Sequence, residues 1–328
     1  MYYIMILMVT LSYFFISTSS WALESVDPQQ QQAAARDLDL IEASGTIPPA
    51  IKPTPAPFTQ PHSHLLGFYF SAGYDTNYMH YSEWSGGTKQ DEDYGRQNGM
   101  LYKLGYQSPK EINSLDPIKI YPFIEADLYK SLPDTLNYKG ALFSTDDSGN
   151  VVSTIPYNET QPSKISQMDL KIGGKTMPSA RWDNFLYYEA GKRVWYRGTD
   201  VVVNDNYLDY KEKYFWYYNG IGGGFDYWLF PKFSIGLDSV FQFAYKPKMH
   251  ADNVQPTFKL GSTWEYQLNF PFKYYLTKNL SLDVTPYFNY ISISQSSLID
   301  VNSDGYGLGE PKSKTHQEGL VGAMTLYI

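Results

Sequence analysis

From Phe258 to Tyr274 the even positions are apolar or aromatic apart from one serine, while the odd positions hold Lys259, Gly261, Thr263, Glu265, Gln267, Asn269, Pro271 and Lys273. Side chains on a strand point alternately to opposite faces, so this pattern predicts a strand with one greasy and one polar face. Beyond a turn at Thr277-Lys278-Asn279 the pattern resumes: Leu280, Leu282, Val284, Phe288 and Tyr290 fall on one face and Ser281, Asp283, Thr285 and Asn289 on the other. Two alternating runs joined this tightly predict a hairpin. Residues 233–245 repeat the logic, with Phe233, Ile235, Leu237, Phe241 and Phe243 opposite Ser234, Gly236, Asp238 and Gln242. Pro231-Lys232 turns back to a strand over 213–229, where Gly220, Gly222, Gly224 and Asp226 share a face and predict a close-packed interior or a bend. These glycines do not read as a phosphate loop, because neither Lys-Ser/Thr nor a helix follows them.

The N-terminal half predicts strands at 65–82, 97–106, 118–130, 165–174 and 184–196, and a last strand runs over 316–328. In the third of these, Ile120, Pro122, Ile124, Ala126 and Leu128 alternate with Tyr121, Phe123, Glu125, Asp127 and Tyr129. Lys192 interrupts the apolar face of Leu186, Tyr188, Ala190 and Val194, which a bulge or a rim position would relieve. About ten strands, each with one lipid-compatible face, predict an all-β fold: a closed antiparallel transmembrane β-barrel, the form that leaves no backbone group unpaired in lipid. With both ends periplasmic, 83–96, 131–164, 197–211, 246–257 and 295–315 become extracellular loops, and 107–117, 175–183, 230–232 and 276–279 become periplasmic turns.

Ahead of the barrel, which covers 65–328, two segments differ in kind. Residues 1–22 read as a signal peptide: an apolar core at 3–16, too short to span a bilayer comfortably as a helix, then Ser20-Trp21-Ala22 with small residues at the −3 and −1 positions of a cleavage site. No Lys or Arg precedes that core, and an uncleaved anchor is the alternative. Residues 23–64, with Gln29 to Gln32 and Pro48, Pro49, Pro53, Pro55, Pro57 and Pro61, cannot bury a core and predict a disordered, Pro-rich periplasmic lead. The alternative is that Ala33 to Ser44 plugs the lumen or touches a periplasmic partner.

Composition sharpens this picture. Aromatics make up 17% of the chain, with 31 Tyr, as interfacial girdles of amphipathic rings would require. A mean hydropathy of −0.39 is compatible with strands that show lipid only every second side chain. The absence of cysteine excludes disulfides, Cys-bound metals and Cys nucleophiles. A net charge of −8 argues against nucleic acid as a partner.

The leader, the Tyr-rich alternating strands and the tail Met324-Thr325-Leu326-Tyr327-Ile328 together resemble the Gram-negative outer-membrane β-barrel class. The resemblance implies location in the bacterial outer membrane, contact with its lipid and lipopolysaccharide, and delivery by the assembly machinery that reads the C-terminal strand. Most members end in Phe or Trp, where this chain has Ile328. In size it is similar to the ten-strand omptin proteases and Opc-type adhesins. Omptins carry an Asp pair and an Asp-His pair near the rim; here His80, His250 and His316 are the rim candidates, with Asp91, Glu92, Asp93, Asp252 and Asp304 as acidic neighbours. His250-Ala251-Asp252 runs in the opposite order to the omptin motif, and no residue is carried over.

Alternation directs a set of charges inward: Asp75, Lys103, Glu125, Asp127, Asp169, Lys171, Glu189, Arg193, Asp226, Asp238, Lys259, Glu265, Lys273 and Asp283. In a narrow barrel these must pair and nearly fill the interior, which argues against a wide pore. Asp300 to Gly305 echoes the start of a calcium loop, but Glu310 falls at position eleven where such a loop needs its Glu at twelve, and a plain loop is the simpler reading. No nucleophile elbow, metal set or cofactor motif is present, so neither a cofactor nor a metal is expected. The expected function is a non-enzymatic surface barrel presenting loops to an unknown extracellular ligand, with 131–164 as the main contact. A narrow transport pore and an omptin-like rim hydrolase are the alternatives.

Overall fold

The computed structural model describes residues 67–328 apart from 86, 116–117, 146–150, 199, 204–205, 210, 252–253 and 301–306. The expected signal peptide and lead lie outside the described residues, as do His62, His64, the tip of the 131–164 segment and nearly all of the calcium-loop echo. Every regular element described is a strand. Ten make the wall: β1 Gly67–Ser85, β2 Thr88–Gln107, β3 Ile118–Ser131 carried on by Asp134–Thr145, β4 Val151–Ser179 and β5 Trp182–Arg197. They continue with β6 Glu212–Phe230, β7 Phe233–Ala251, β8 in three pieces (Val254–Lys259, Thr263–Asn269, Phe272–Thr277), β9 Leu280–Ile293 and β10 Lys312–Tyr327.

Sequential strands pair antiparallel, and β1 pairs with β10 from Tyr69 opposite Tyr327 to Trp84 opposite Lys312. The sheet therefore closes on itself and has no open edge. Large apolar side chains cover its outside: Phe70 and Tyr74 on β1, Leu104 on β2, Ile172 on β4, Leu186 on β5, Ile221 on β6 and Met324 on β10 are all exposed. An apolar exterior around a closed sheet is the arrangement that crosses a bilayer with every backbone group paired, and it makes this chain a closed antiparallel β-barrel of the transmembrane kind.

The strands run well past the membrane. Crossing needs about ten residues, whereas β4 has 29 and β1 and β6 have 19 each. Segments read from the sequence as extracellular loops are accordingly barrel wall. Thr88 to Arg96 belong to β2, with Gly87 (φ 83°) at its turn; most of 131–164 belongs to β3 and β4; and Lys246 to Ala251 belong to β7. On the side that holds Gly67 and Ile328, hereafter the terminal end, β4 runs on to Ser179 and turns tightly into β5. Lys192 lies in regular register, exposed, with its ammonium 5.2 Å from the Phe215 ring. No bulge is needed there.

Lys259 does not point inward. Near Lys246, whose φ of 49° marks an irregularity, β7 reverses phase, so that Met249 and Ala251 are buried where Phe243 and Tyr245 are exposed. In β8 residues 260–262 leave the ladder, Leu260 N–H donating to Pro247 (3.0 Å) and Gly261 N–H to Ser294 (3.1 Å). Phe258 and Leu260 therefore face the lumen and Lys259 the outside. A bulge exchanges the two faces, and alternation alone does not reveal it.

Where strands approach most closely only glycine fits. A Cβ on Gly224 would lie 1.8 Å from the Leu237 carbonyl oxygen and 2.9 Å from the Asp238 Cα, both backbone of β7, whereas one on Gly322 would meet nothing within 4 Å. Gly224→Ala is expected to destabilise the folded barrel by about 1–3 kcal/mol, the usual range for overpacking, and Gly322→Ala to be near neutral. Urea unfolding in detergent followed by tryptophan fluorescence checks both.

Candidate functional site

The interior has two storeys. In the lower one, toward the terminal end, every sequence-predicted lumen charge except Lys259 lines a single cavity of about 370 Å³. The cations are shared among carboxylates. Lys171 Nζ lies 2.7 Å from Asp127 and 3.1 Å from Glu125, and Lys103 reaches the same two at 3.5 and 3.7 Å. Lys273 and Lys175 meet Asp226 at 3.3 and 3.6 Å. Arg193 pairs with Glu265 at 3.0 Å and donates to Gln317 at 3.2 Å. Tyrosines complete the lining: Tyr69 donates to Glu125 (2.6 Å), Tyr187 to Asp238 (2.8 Å) and Tyr287 to Asp75 (3.2 Å).

Above the cavity the lumen is filled with apolar side chains. Met79, Leu136, Ile165, Trp195, Trp216, Met249, Phe258 and Ile291, from eight of the ten strands, pack into one buried cluster. None of them lines the cavity below. The phase reversals of β7 and β8 build this layer, because they turn Met249, Phe258 and Leu260 inward.

On the layer sits a fully buried arginine. Arg197, at the end of β5, stacks its guanidinium 4.3 Å from the Tyr81 ring and pairs with Glu212 (3.0 Å), Glu83 (3.2 Å), Asp93 (3.4 Å) and Asp91 (4.0 Å). Glu310 joins by accepting a hydrogen bond from Tyr214, while Tyr81 donates to Glu83 and Gln161 to Asp93. Five carboxylates thus surround one cation. Burial above all, then the charge of Glu83, pushes Asp91 up to about 8 against the pull of Arg197. Burial raises Glu212 to about 7, and it raises Asp93 and Glu310 as well. Glu83, Glu212 and Glu310 bring carboxylate oxygens within 4.8 Å of one another, close enough for one metal ion, but Arg197 already supplies a cation to two of them.

The three rim histidines do not enter this cluster. His80 and His316 face each other across β1 and β10 on the outer wall, where His80 meets Glu92 at 3.0 Å. His250 Nδ1 lies 3.4 Å from Thr257 Oγ1 on an exposed contact. Asp91 and Asp93 point into the barrel instead, away from the histidines. The Arg197 cluster lies on wall that the pattern of the sequence gives as the loops 83–96 and 197–211. The signal was present: the inward parity of Glu189 and Arg193 continues unbroken to Arg197, and that of Asp75 and Asn77 continues to Tyr81 and Glu83.

No protein family matches the chain, and no curated protein matches it in sequence. Among solved structures it is similar to the outer membrane protease OmpT from Escherichia coli, at 10% identity and a TM-score of 0.46 over 80% of this chain and 97% of that one. It is also similar to Neisserial surface protein A (11%, 0.31, 80% and 97%) and to the transport unit of the autotransporter AIDA-I from Escherichia coli (11%, 0.39, 90% and 97%). None of these likenesses carries an activity over to this chain.

Asp91 and Glu212 hold protons more tightly in the folded barrel than in the unfolded chain. The stability they contribute is full below the ordinary carboxylate range, near 4, and is lost as pH rises through about 7 to 8. Raising pH from about 5 to about 9 is expected to lower the unfolding temperature, and Asp91→Asn to flatten that dependence. Heat-induced gel-mobility shifts across the pH series check it.

Proposed function

We propose that the protein is a non-enzymatic, non-conducting surface barrel whose extended far end, placed outside the cell, is the contact surface for an extracellular ligand. The observation that carries this reading is the filled upper storey: an apolar layer, topped by the Arg197 cluster, stands across the path a solute would take. Rigid wall projecting beyond the membrane suits contact, because it holds the turns between strands in fixed positions. The outward placement of His80, His250 and His316 favours this reading over a rim hydrolase, which would need a base beside its acidic pair.

Two partners fit the outer wall. Above the apolar band, Arg96, Lys130, Lys164, Lys192, Lys213 and Lys246 on six consecutive strands are exposed, a basic collar suited to the anionic headgroups of lipopolysaccharide. At the terminal end β10 presents Leu320, Met324 and Leu326 on its exposed face up to Ile328, the apolar tail suited to recognition by the assembly machinery.

Planar-bilayer recording tests the reading. The purified protein is expected to give no discrete conductance steps, whereas Trp216→Ala combined with Met249→Ala, which hollows the layer, is expected to give them. Steps from the unaltered protein would contradict a sealed lumen and favour the transport-pore alternative.

A further inference from the structure

The cavity beneath the seal has a charge imbalance that its own side chains do not resolve. Nine carboxylates and five cations line it. The cations are committed to Glu125, Asp127, Asp226 and Glu265, with Lys175 shared between Asp226 and Asp183. Asp75, Asp169, Glu189 and Asp238, on β1, β4, β5 and β7, face the same space with only neutral donors in hydrogen-bond contact. Asn77 and Tyr287 donate to Asp75, Gln167 to Asp169, Gln242 to Glu189, and Tyr187 and Asn269 to Asp238. Asp75 is 2% exposed, and its Oδ1, like Oδ1 of Asp127, is buried without any hydrogen-bond partner. Holding several such groups ionised in a low-dielectric interior is costly unless protons or another positive charge arrive to meet them.

We propose that this cavity binds a small organic cation with two or more ammonium groups, a short aliphatic polyamine in chemical class. Size and spacing favour it over a bare ion. The volume of about 370 Å³ is that of a small-molecule pocket. Among the described residues, the one trio of acidic or histidine side chains close enough to share a metal is Glu83, Glu212 and Glu310, in the upper storey. The cavity carboxylates are instead spread around the wall, as separate ammonium groups on a flexible chain would need. The rings of Tyr187, Phe123 and Phe185 belong to the same lining and suit the methylene stem and cation–π contact. With the upper storey filled, the ligand enters from the terminal end, where Tyr327 and Gln107 belong to the lining.

Isothermal titration of the full chain in neutral detergent with butane-1,4-diamine, at about 0.15 M salt so that exposed charges are screened, tests the proposal. One saturable site is expected. Asp238→Asn and Glu189→Gln, which keep shape and most hydrogen bonding, are each expected to weaken binding at least about tenfold, the effect of losing roughly 1.4 kcal/mol. Glu318→Gln on the outer wall is expected to leave binding unchanged, and butane-1,4-diol, which has no charge, not to bind. Absence of a saturable site, equal affinity in the lumen variants, or equal binding of the diol would overturn the proposal. Should the lumen variants fail to fold, carbodiimide activation of the unaltered protein decides: the bound diamine is expected to be captured as an amide on Glu189 or Asp238, with the carbodiimide leaving as its urea and the adduct located by mass spectrometry, and coupling confined to exposed carboxylates would overturn it. Conductance plays no part in these readouts, so they stand or fall separately from the sealed-barrel reading.

Discussion

A backbone in hydrocarbon has no water to satisfy its amides, and in this protein the pairing of β1 with β10 is what removes the last unpaired edge. Closure then dictates the rest. It divides every strand into a lipid-facing and a lumen-facing set, so Phe70, Tyr74 and Tyr78 cover the outside while Ser71, Asp75 and Asn77 are shut in. Polar residues that would be ordinary on a soluble surface become buried, and each needs a partner from another strand. The long-range contacts of the lumen, such as Arg193 to Glu265 and Tyr287 to Asp75, answer that demand.

The two storeys answer it differently. Below, lysines bridge pairs of carboxylates and tyrosines donate where lysines do not reach, leaving a cavity with residual negative character. Above, most inward positions are apolar and the remaining acids gather on one arginine, whose guanidinium also stacks on Tyr81. A bidentate, permanently charged group is suited to this place, because several carboxylates can share it at once. The surplus of acid there holds protons, which ties the firmness of the far end to pH.

Much of this was legible in the residues. Alternation located all ten strands, and the inward parity of Glu125, Asp127, Glu189 and Asp283 reads directly from their apolar neighbours. Three things were not legible, each for a physical reason. Strand length was underestimated because wall that rises above the membrane no longer needs an apolar outer face, so Thr88 to Asp93 and 151–163 look like loops. The outward placement of Lys259 is hidden because a bulge exchanges faces without leaving a mark in the pattern beyond Lys246-Pro247-Lys248. Tyrosine content pointed to interfacial girdles, yet Tyr81, Tyr187, Tyr214, Tyr218 and Tyr275 are buried, several of them donating to lumen carboxylates.

Closure itself can be measured without disturbing either storey. The chain has no cysteine, and Thr76 and Leu320 stand opposite each other on the outer faces of β1 and β10. Thr76→Cys with Leu320→Cys is expected to form an intramolecular disulfide on mild oxidation of the folded protein, and Thr76→Cys with Met324→Cys, four residues out of register, is not. Failure of the first pair to cross-link, or equal cross-linking of both, would contradict a barrel sealed along this seam.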